Sequence, residues 1–289
     1  MNVPNWLDWL LGGILSAYQK SDLPGKFWFY QHTKRRFGRL LIRHRVEYGN
    51  FWVPWDQWCF WLEHGPCNYY LDDFNPLANE ISSQPAPVDF IDLGADIGVV
   101  SQLMKSRCQN LRQVIAIEPN PSAFRILEKN LSAMPGTNLA LRFAVSDCDG
   151  MAKLLRDEGL GSDHEGHIER DPNGDIPVRA LDSVVSGMKL ELSDNIAVKI
   201  DVEGQEVNTI KGMASTLKRA NTVIMMIEIH PDVLARDGET PESILLAAES
   251  IRDFEWVVPV AGNKKIDRKR AFFEQFPEQQ YDIIGVSRC

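Results

Sequence analysis

Cysteine is scarce: Cys59, Cys67, Cys108, Cys148 and Cys289 are five in 289 residues, odd in number, scattered, and without a CxxC pair. That argues against a disulfide framework and against a structural zinc site, and it suits a reducing, cytoplasmic compartment. Positive charge is also short. The 31 lysines and arginines face 40 aspartates and glutamates, a net charge of −9. General nucleic-acid binding needs basic surface, so nucleic acid is not expected as a partner. No transmembrane segment is visible. The most apolar early stretch, "WLDWLLGGILSAY", is too short to span a bilayer, carries Asp8 and two glycines, and lacks the basic flank of a secretory signal. It reads as an amphipathic helix packed on its own domain or on a second subunit, as in a homodimer. There is no internal repeat and no low-complexity tract.

What is present is unevenly spread. Seven of the eight tryptophans fall at or before Trp61, most densely around "FWVPWDQWCFWLEHGPCNYY". Such a run can stack sugars or bases. Aromatics mostly supply buried area, however, and a small aromatic-cored lid is the plainer expectation. "TKRRFGRLLIRHR" reads as a solvated basic face with an apolar stripe of Phe37, Leu40 and Leu41. "SSQPAPV" reads as a loop or linker. The change of pattern there divides the chain into an aromatic-rich N-terminal cap region, residues 1–85, and a second domain, residues 86–289.

The second part alternates strand and helix patterns. "VDFIDL", "QVIAIE", "LALRFAV", "NIAVKIDV" and "TVIMMIEIH" are strand-like, and the last two are near-continuous apolar runs of the kind buried in a parallel sheet. "GVVSQLMKSRC" and "NPSAFRILEKNL" are helical; in the second, Asn120 can cap and Pro121 suits the first turn. "MAKLL" and "IPVRAL" are two extra strands around a polar loop, and "EWVVPV" and "YDIIGV" close the chain. Repeated β–α units imply an open α/β sheet with helices on both faces.

Ligands of such sheets sit at the carboxyl ends of the strands. There stands "DLGADIG", in which Gly94 and Gly98 match the second and third glycines of a dinucleotide turn and Asp92 replaces the first. A carboxylate there repels a pyrophosphate and suits a cationic, phosphate-free ligand such as S-adenosylmethionine. Gly94 is expected to let the backbone approach that ligand, and Gly98 to let helix and strand pack. Glu118, 20 residues after Gly98, can accept both ribose hydroxyls. Ala144 and Val145 are expected to flank the adenine, with Asp147 near its edge.

"FIDLGADIG", "IEPNP", "AVSDCDG", "ALDS" and "VKIDVEGQEVNTIKG" follow one another in order. Together they resemble the FkbM-type family of S-adenosylmethionine-dependent methyltransferases, over about residues 88–230. The family's turn more often has Asn where this chain has Asp96. The resemblance implies a Rossmann-like class I methyltransferase fold with a seven-stranded, mostly parallel sheet. It also implies O-methylation of a hydroxyl on a sugar, glycan or natural product. Cofactor contacts are expected from Asp92, Gly94, Ala95, Asp96, Gly98, Glu118, Pro119, Ala144, Val145 and Asp201.

An alcohol must lose its proton as it attacks a methyl group, and a neutral imidazole suits that task. His230, after the fifth strand, is the expected base, with Glu203 next and Asp201 beside the methionine part or the acceptor. Lys199, in an apolar strand, needs a partner, which Asp201 or Glu228 can supply. Asp201, Glu228 and His230 can ligate Mg²⁺ or Mn²⁺ chemically, but no dedicated spacing demands it, and no metal is expected. His164 and His167 in "SDHEGH" read as a solvated loop. The rival functions are a nicotinamide dehydrogenase, disfavoured by Asp92, and a catalytically inactive carbohydrate- or partner-binding protein on a methyltransferase scaffold.

Overall fold

The computed structural model describes residues 10, 14, 24–38, 40–57, 65–155 and 166–288. The expected helix in "WLDWLLGGILSAY", Trp58, Trp61 and His164 lie outside the described residues, apart from Leu10 and Ile14. Helix α1 (Lys26–Phe37) leads into a hairpin of β1 (Leu41–Val46) and β2 (Gly49–Pro54), closed by a tight turn at Val46 and Gly49. Ile42, Phe51, Val53 and Trp55 are buried and share one core with Phe90, Ile97 and Leu127 of the later chain. The basic stretch is therefore a helix end and a strand, not one solvated face. Phe37 is exposed, while Leu40 and Leu41 pack against the core. Helix α2 (Leu71–Ser82) buries Phe74, Leu77, Ala78 and Ile81.

The next elements are β3 (Val88–Leu93), α3 (Val99–Arg107), β4 (Leu111–Ile117), α4 (Pro121–Ser132) and β5 (Thr137–Leu141). Helix α4 starts as its sequence predicts: the Asn120 side chain accepts from the Ser122 N–H at 2.9 Å, and Pro121 fills the first position. The expected single strand "LALRFAV" is broken at Arg142 and Phe143. β5 pairs with β4, whereas β6 (Ala144–Val145) moves to a separate sheet. That sheet also contains β7 (Gly150–Leu155), β8 (His167–Arg170) and β9 (Ile176–Arg179), in the order β6-β9-β7-β8. The two extra strands read from "MAKLL" and "IPVRAL" are β7 and β9.

After α5 (Leu181–Gly187) come β10 (Asn195–Ile200), α6 (Glu206–Lys211), α7 (Ala214–Arg219) and β11 (Thr222–Ile229). The chain then runs through α8 (Pro231–Asp237), α9 (Pro241–Glu249), β12 (Glu255–Val258), β13 (Lys264–Lys265), α10 (Phe272–Gln275) and β14 (Tyr281–Arg288). The main sheet has the order β13-β12-β14-β11-β10-β3-β4-β5. β5, β4, β3, β10 and β11 are parallel, and β14 is antiparallel to β11. Seven strands were expected; the eighth, β13, is a two-residue pairing at the edge. Period-2 alternation buries both faces: Val88 and Phe90 join one core, Ile91 and Leu93 the other. Burial of a side chain such as Phe90 stabilises by about 1.5–3 kcal/mol. The sheet reverses its direction of growth between β3 and β10, which fixes where a crevice opens. Among the described residues no helix is long and apolar enough to cross a membrane.

Candidate active site

β3 ends in a turn with Gly94, Asp96 and Gly98 all in the left-handed region, at φ +76°, +48° and +88°. The reason for each glycine differs. A Cβ on Gly94 would stand 1.7 Å from the Asp201 carbonyl oxygen, so this glycine admits the end of β10 as well as lining the cavity. A Cβ on Gly98 would stand 2.8 Å from Leu127 Cδ1, so this glycine admits α4 against the start of α3. Asp96 tolerates its conformation because Asp enters the left-handed region more readily than most residues. Its carboxylate accepts from Gln57 Nε2 at 2.7 Å on both oxygens, and its N–H donates to Glu118 Oε2 at 2.8 Å.

A cavity of about 630 Å³ opens beside this turn, at the carboxyl ends of the parallel strands. Of the predicted cofactor residues, Gly94, Ala95, Asp96, Glu118, Pro119, Ala144, Val145 and Asp201 line it. Asp92 and Gly98 do not. Asp92 is fully buried beneath the turn, opposite Lys199 in the sheet register, and accepts from Ser101 Oγ at 2.6 Å. Burial pushes its carboxyl up, and Lys199 opposes that rise. Asp147 is also off the wall: it pairs with Arg170 at 2.7 Å. The small sheet forms the apolar side through Ala144, Val145, Leu154 and Ile168. His167, between the wall residues Gly166 and Ile168, is not on the wall.

Glu118 is buried and receives two backbone N–H groups, from Asn120 at 2.7 Å and Asp96 at 2.8 Å. Burial, together with the charge of Asp96, still pushes it up to about 8. Each oxygen keeps a lone pair for a hydroxyl donor.

Lys199, Asp201, Glu203, Glu228 and His230 all meet on the same cavity wall. Lys199 Nζ lies 2.7 Å from Asp201 Oδ2 and 3.4 Å from the Gly94 carbonyl oxygen. Burial works against its charge, but Asp201 and Asp92 outweigh burial and hold the lysine protonated. Asp201, Glu203 and Glu228 bring one oxygen each within 4.8 Å of one another, a hard-oxygen set able to hold a divalent cation. This grouping takes Glu203 where the sequence suggested His230. Glu228 accepts from the Gln280 amide, and burial beside Asp201 and Asp282 raises its carboxyl well above the ordinary range. His230 is half-buried between β11 and α8, and its Nδ1 is buried without a hydrogen-bond partner among the described residues. Glu203 has φ +54°, and its carbonyl accepts from Arg236 at 2.7 Å.

Sequence reasoning missed part of the wall: Tyr69, Tyr70 and Asp73 at the start of α2, and Gln280 and Asp282 at the start of β14. A signal for Asp282 existed. A final strand that runs antiparallel begins where the parallel strands end, so the second residue of "YDIIGV" falls at the crevice.

With this geometry in place, the chain belongs to a known family: residues 92–249 match the model of the methyltransferase FkbM domain. Among curated proteins, it is similar to the hexuronic acid methyltransferase AglP of Haloferax volcanii, 31% identical over 150 residues. That match covers 50% of this chain and 57% of the relative, so the chain spans little more than half the relative's length. Among solved structures, it is similar to methyltransferase FkbM from Methylobacillus flagellatus KT, 16% identical, with a TM-score of 0.42 over 69% of this chain and 43% of the other. It is also similar to M. jannaschii TYW2 in complex with AdoMet, 12% identical, with a TM-score of 0.42 over 87% of this chain and 88% of the other.

Proposed function

We propose that this protein transfers a methyl group from S-adenosylmethionine to a hydroxyl of a sugar, glycan or natural product. The observation that carries the reading is the carboxylate set around the glycine turn: Asp96, Glu118 and Asp201 line one cavity at the sheet's switch point. The charges of Asp96 and Asp201 disfavour a pyrophosphate and suit an ammonium and a sulfonium, and Glu118 suits a ribose. Family membership supports methyl transfer, and the sugar acid in the name of the Haloferax volcanii relative supports a carbohydrate acceptor.

When bound, S-adenosylmethionine supplies a methyl group activated by its positive sulfur. In our reading Glu118 accepts the two ribose hydroxyls, and Ala144 and Val145 cover one face of the adenine. Asp201, fixed by Lys199, faces the methionine part. His230 holds the acceptor hydroxyl in line with the methyl group and takes its proton as the C–O bond forms and the C–S bond breaks. Its place on the cavity wall supports that role, and Glu203 is the second candidate. Residues 1–85 act as a cap that helps choose the acceptor, over the cofactor-binding domain of residues 86–289; Tyr69, Tyr70 and Asp73 on the cavity wall support this.

The test is calorimetric titration with S-adenosylmethionine, S-adenosylhomocysteine and NAD. Binding of the first two and not the third is expected. Binding of NAD alone rejects the reading, and binding of none makes the chain a non-catalytic member of its family.

A further inference from the structure

One part of the cavity wall is given no role by the proposed cofactor contacts. Tyr70, at the entry to α2, is 45% exposed and holds φ +36°, a strained conformation for a bulky residue. Its ring meets Tyr69 edge-on at 4.6 Å, and Tyr69 stacks on Phe74 at 6.0 Å. This is an aromatic wall on the cavity. Two carboxylates from distant parts of the chain line the same cavity, Asp73 in the first turn of α2 and Asp282 at the start of β14. They interact: burial first, and then the charge of Asp73, push Asp282 up to about 7. Neither side chain has a hydrogen bond or ion pair among the described residues. Among those residues, Lys199 is the only lysine or arginine on the wall, and it is already joined to Asp201.

When ionised, these two carboxylates on one cavity wall lack donors and need a ligand that brings them. Hydroxyls and an ammonium group do so. A ligand carboxylate would instead add a further negative charge at short range in a poorly solvated space, where like charges repel strongly. We propose that Asp73 and Asp282 set the acceptor's charge: the cavity takes a neutral or amine-bearing sugar ring, laid against Tyr70, and rejects a ring that carries a carboxylate. This rests on the reading of the cavity as a methyl-transfer site, and it separates this chain from the hexuronic acid named for its relative.

The test is ligand-observed NMR titration of the full-length protein, with and without S-adenosylhomocysteine. The probes are methyl glucoside, methyl glucosaminide and methyl glucuronide. The titration is run at pH 9, above the raised value of about 7 for Asp282, so that its carboxylate is ionised; the glucoside and glucosaminide bind, and the glucuronide binds about tenfold or more weakly. Asp282→Asn and Asp73→Asn each bring the glucuronide to within about threefold of the glucoside, because one repelling charge is gone. Tyr70→Ala weakens all three rings and leaves their ratio unchanged, which holds the question open to test if an Asn variant fails to fold. A glucuronide that binds the parent as tightly as the glucoside overturns the proposal. So does the absence of binding by every ring, or an unchanged ratio in both Asn variants. Rings sorted by charge on a protein that binds no S-adenosylhomocysteine would sink the methyl-transfer reading and leave the charge selection standing.

Discussion

Gly94 and Asp201 are in backbone contact: any Cβ at Gly94 falls 1.7 Å from the Asp201 carbonyl oxygen. The turn after β3 and the end of β10 are therefore one unit, and Asp201 carries Lys199 with it at 2.7 Å. Even Gly94→Ala is expected to lower stability by about 3 kcal/mol or more, since left-handed strain adds to a clash with immobile backbone. Gly94→Val removes cofactor binding as well. Thermal unfolding and S-adenosylhomocysteine titration check both. An alanine variant with parental melting temperature and affinity would show that the contact is not fixed.

Glu118 supplies the second prediction. Glu118→Ala weakens S-adenosylhomocysteine binding by about 1–3 kcal/mol, the range for hydrogen bonds to a charged acceptor. Its pH dependence has a definite sign. Burial and Asp96 raise the group from the ordinary 4.5 to about 8. The folded state therefore holds the proton more tightly than the unfolded chain. That stabilising contribution is complete below about pH 4.5 and is lost as pH rises towards 8. Hydroxyl donors favour the carboxylate form, so cofactor affinity climbs across the same window. Glu118→Gln abolishes the climb. Equal affinity of the parent at pH 6 and pH 9 would reject the ribose role.

The parts legible in sequence were those set by local chemistry. Asn120 and Pro121 announce the start of α4, and the apolar runs of β10 and β11 announce strands buried on both faces. His230, Asp201 and Glu118 were legible because they end strands, and strand ends meet at the crevice. What escaped was set by tertiary choice. Nothing in "LALRFAV" contains glycine or proline, yet the chain leaves the main sheet at Arg142 to pair β6 with β9. Gly94 was legible as a required glycine, but its contact with Asp201, far along the chain, was not. Asp73 and Asp282 line one cavity from distant parts of the sequence, and no spacing rule links them.

The link between the hairpin and the turn gives a third prediction. Gln57, fully buried at the end of the hairpin, donates to both Asp96 oxygens at 2.7 Å. Gln57→Ala is expected to weaken S-adenosylhomocysteine binding by about 0.5–1.5 kcal/mol, although Gln57 is not on the cavity wall. Gln57→Glu does worse, because it sets a second carboxylate against Asp96. Unchanged affinity in both variants would mean that the cap and the turn are independent. Deleting residues 1–85 is a poor substitute for these variants, since it would uncover the core shared by Phe51, Val53, Phe90 and Leu127.

The last prediction concerns His230. His230 lines the cavity together with Asp201, Glu203 and Glu228. His230→Ala is expected to lower the methyl-transfer rate by about 10²–10⁴-fold with little change in cofactor affinity, the pattern of a group that acts only as the reaction proceeds. The three carboxylates offer a different route. A divalent cation held by them would lower the acceptor hydroxyl's pKa directly, and the reaction would then stop with chelator and return with Mg²⁺ or Mn²⁺. The two routes separate cleanly in one experiment. Turnover is measured for the parent, His230→Ala and Glu203→Gln, each with chelator and with added metal. A large loss in His230→Ala with no response to chelator supports the imidazole. Near-parental turnover in that variant, with Glu203→Gln inactive and the parent silenced by chelator, would move the proton transfer to the carboxylate cluster.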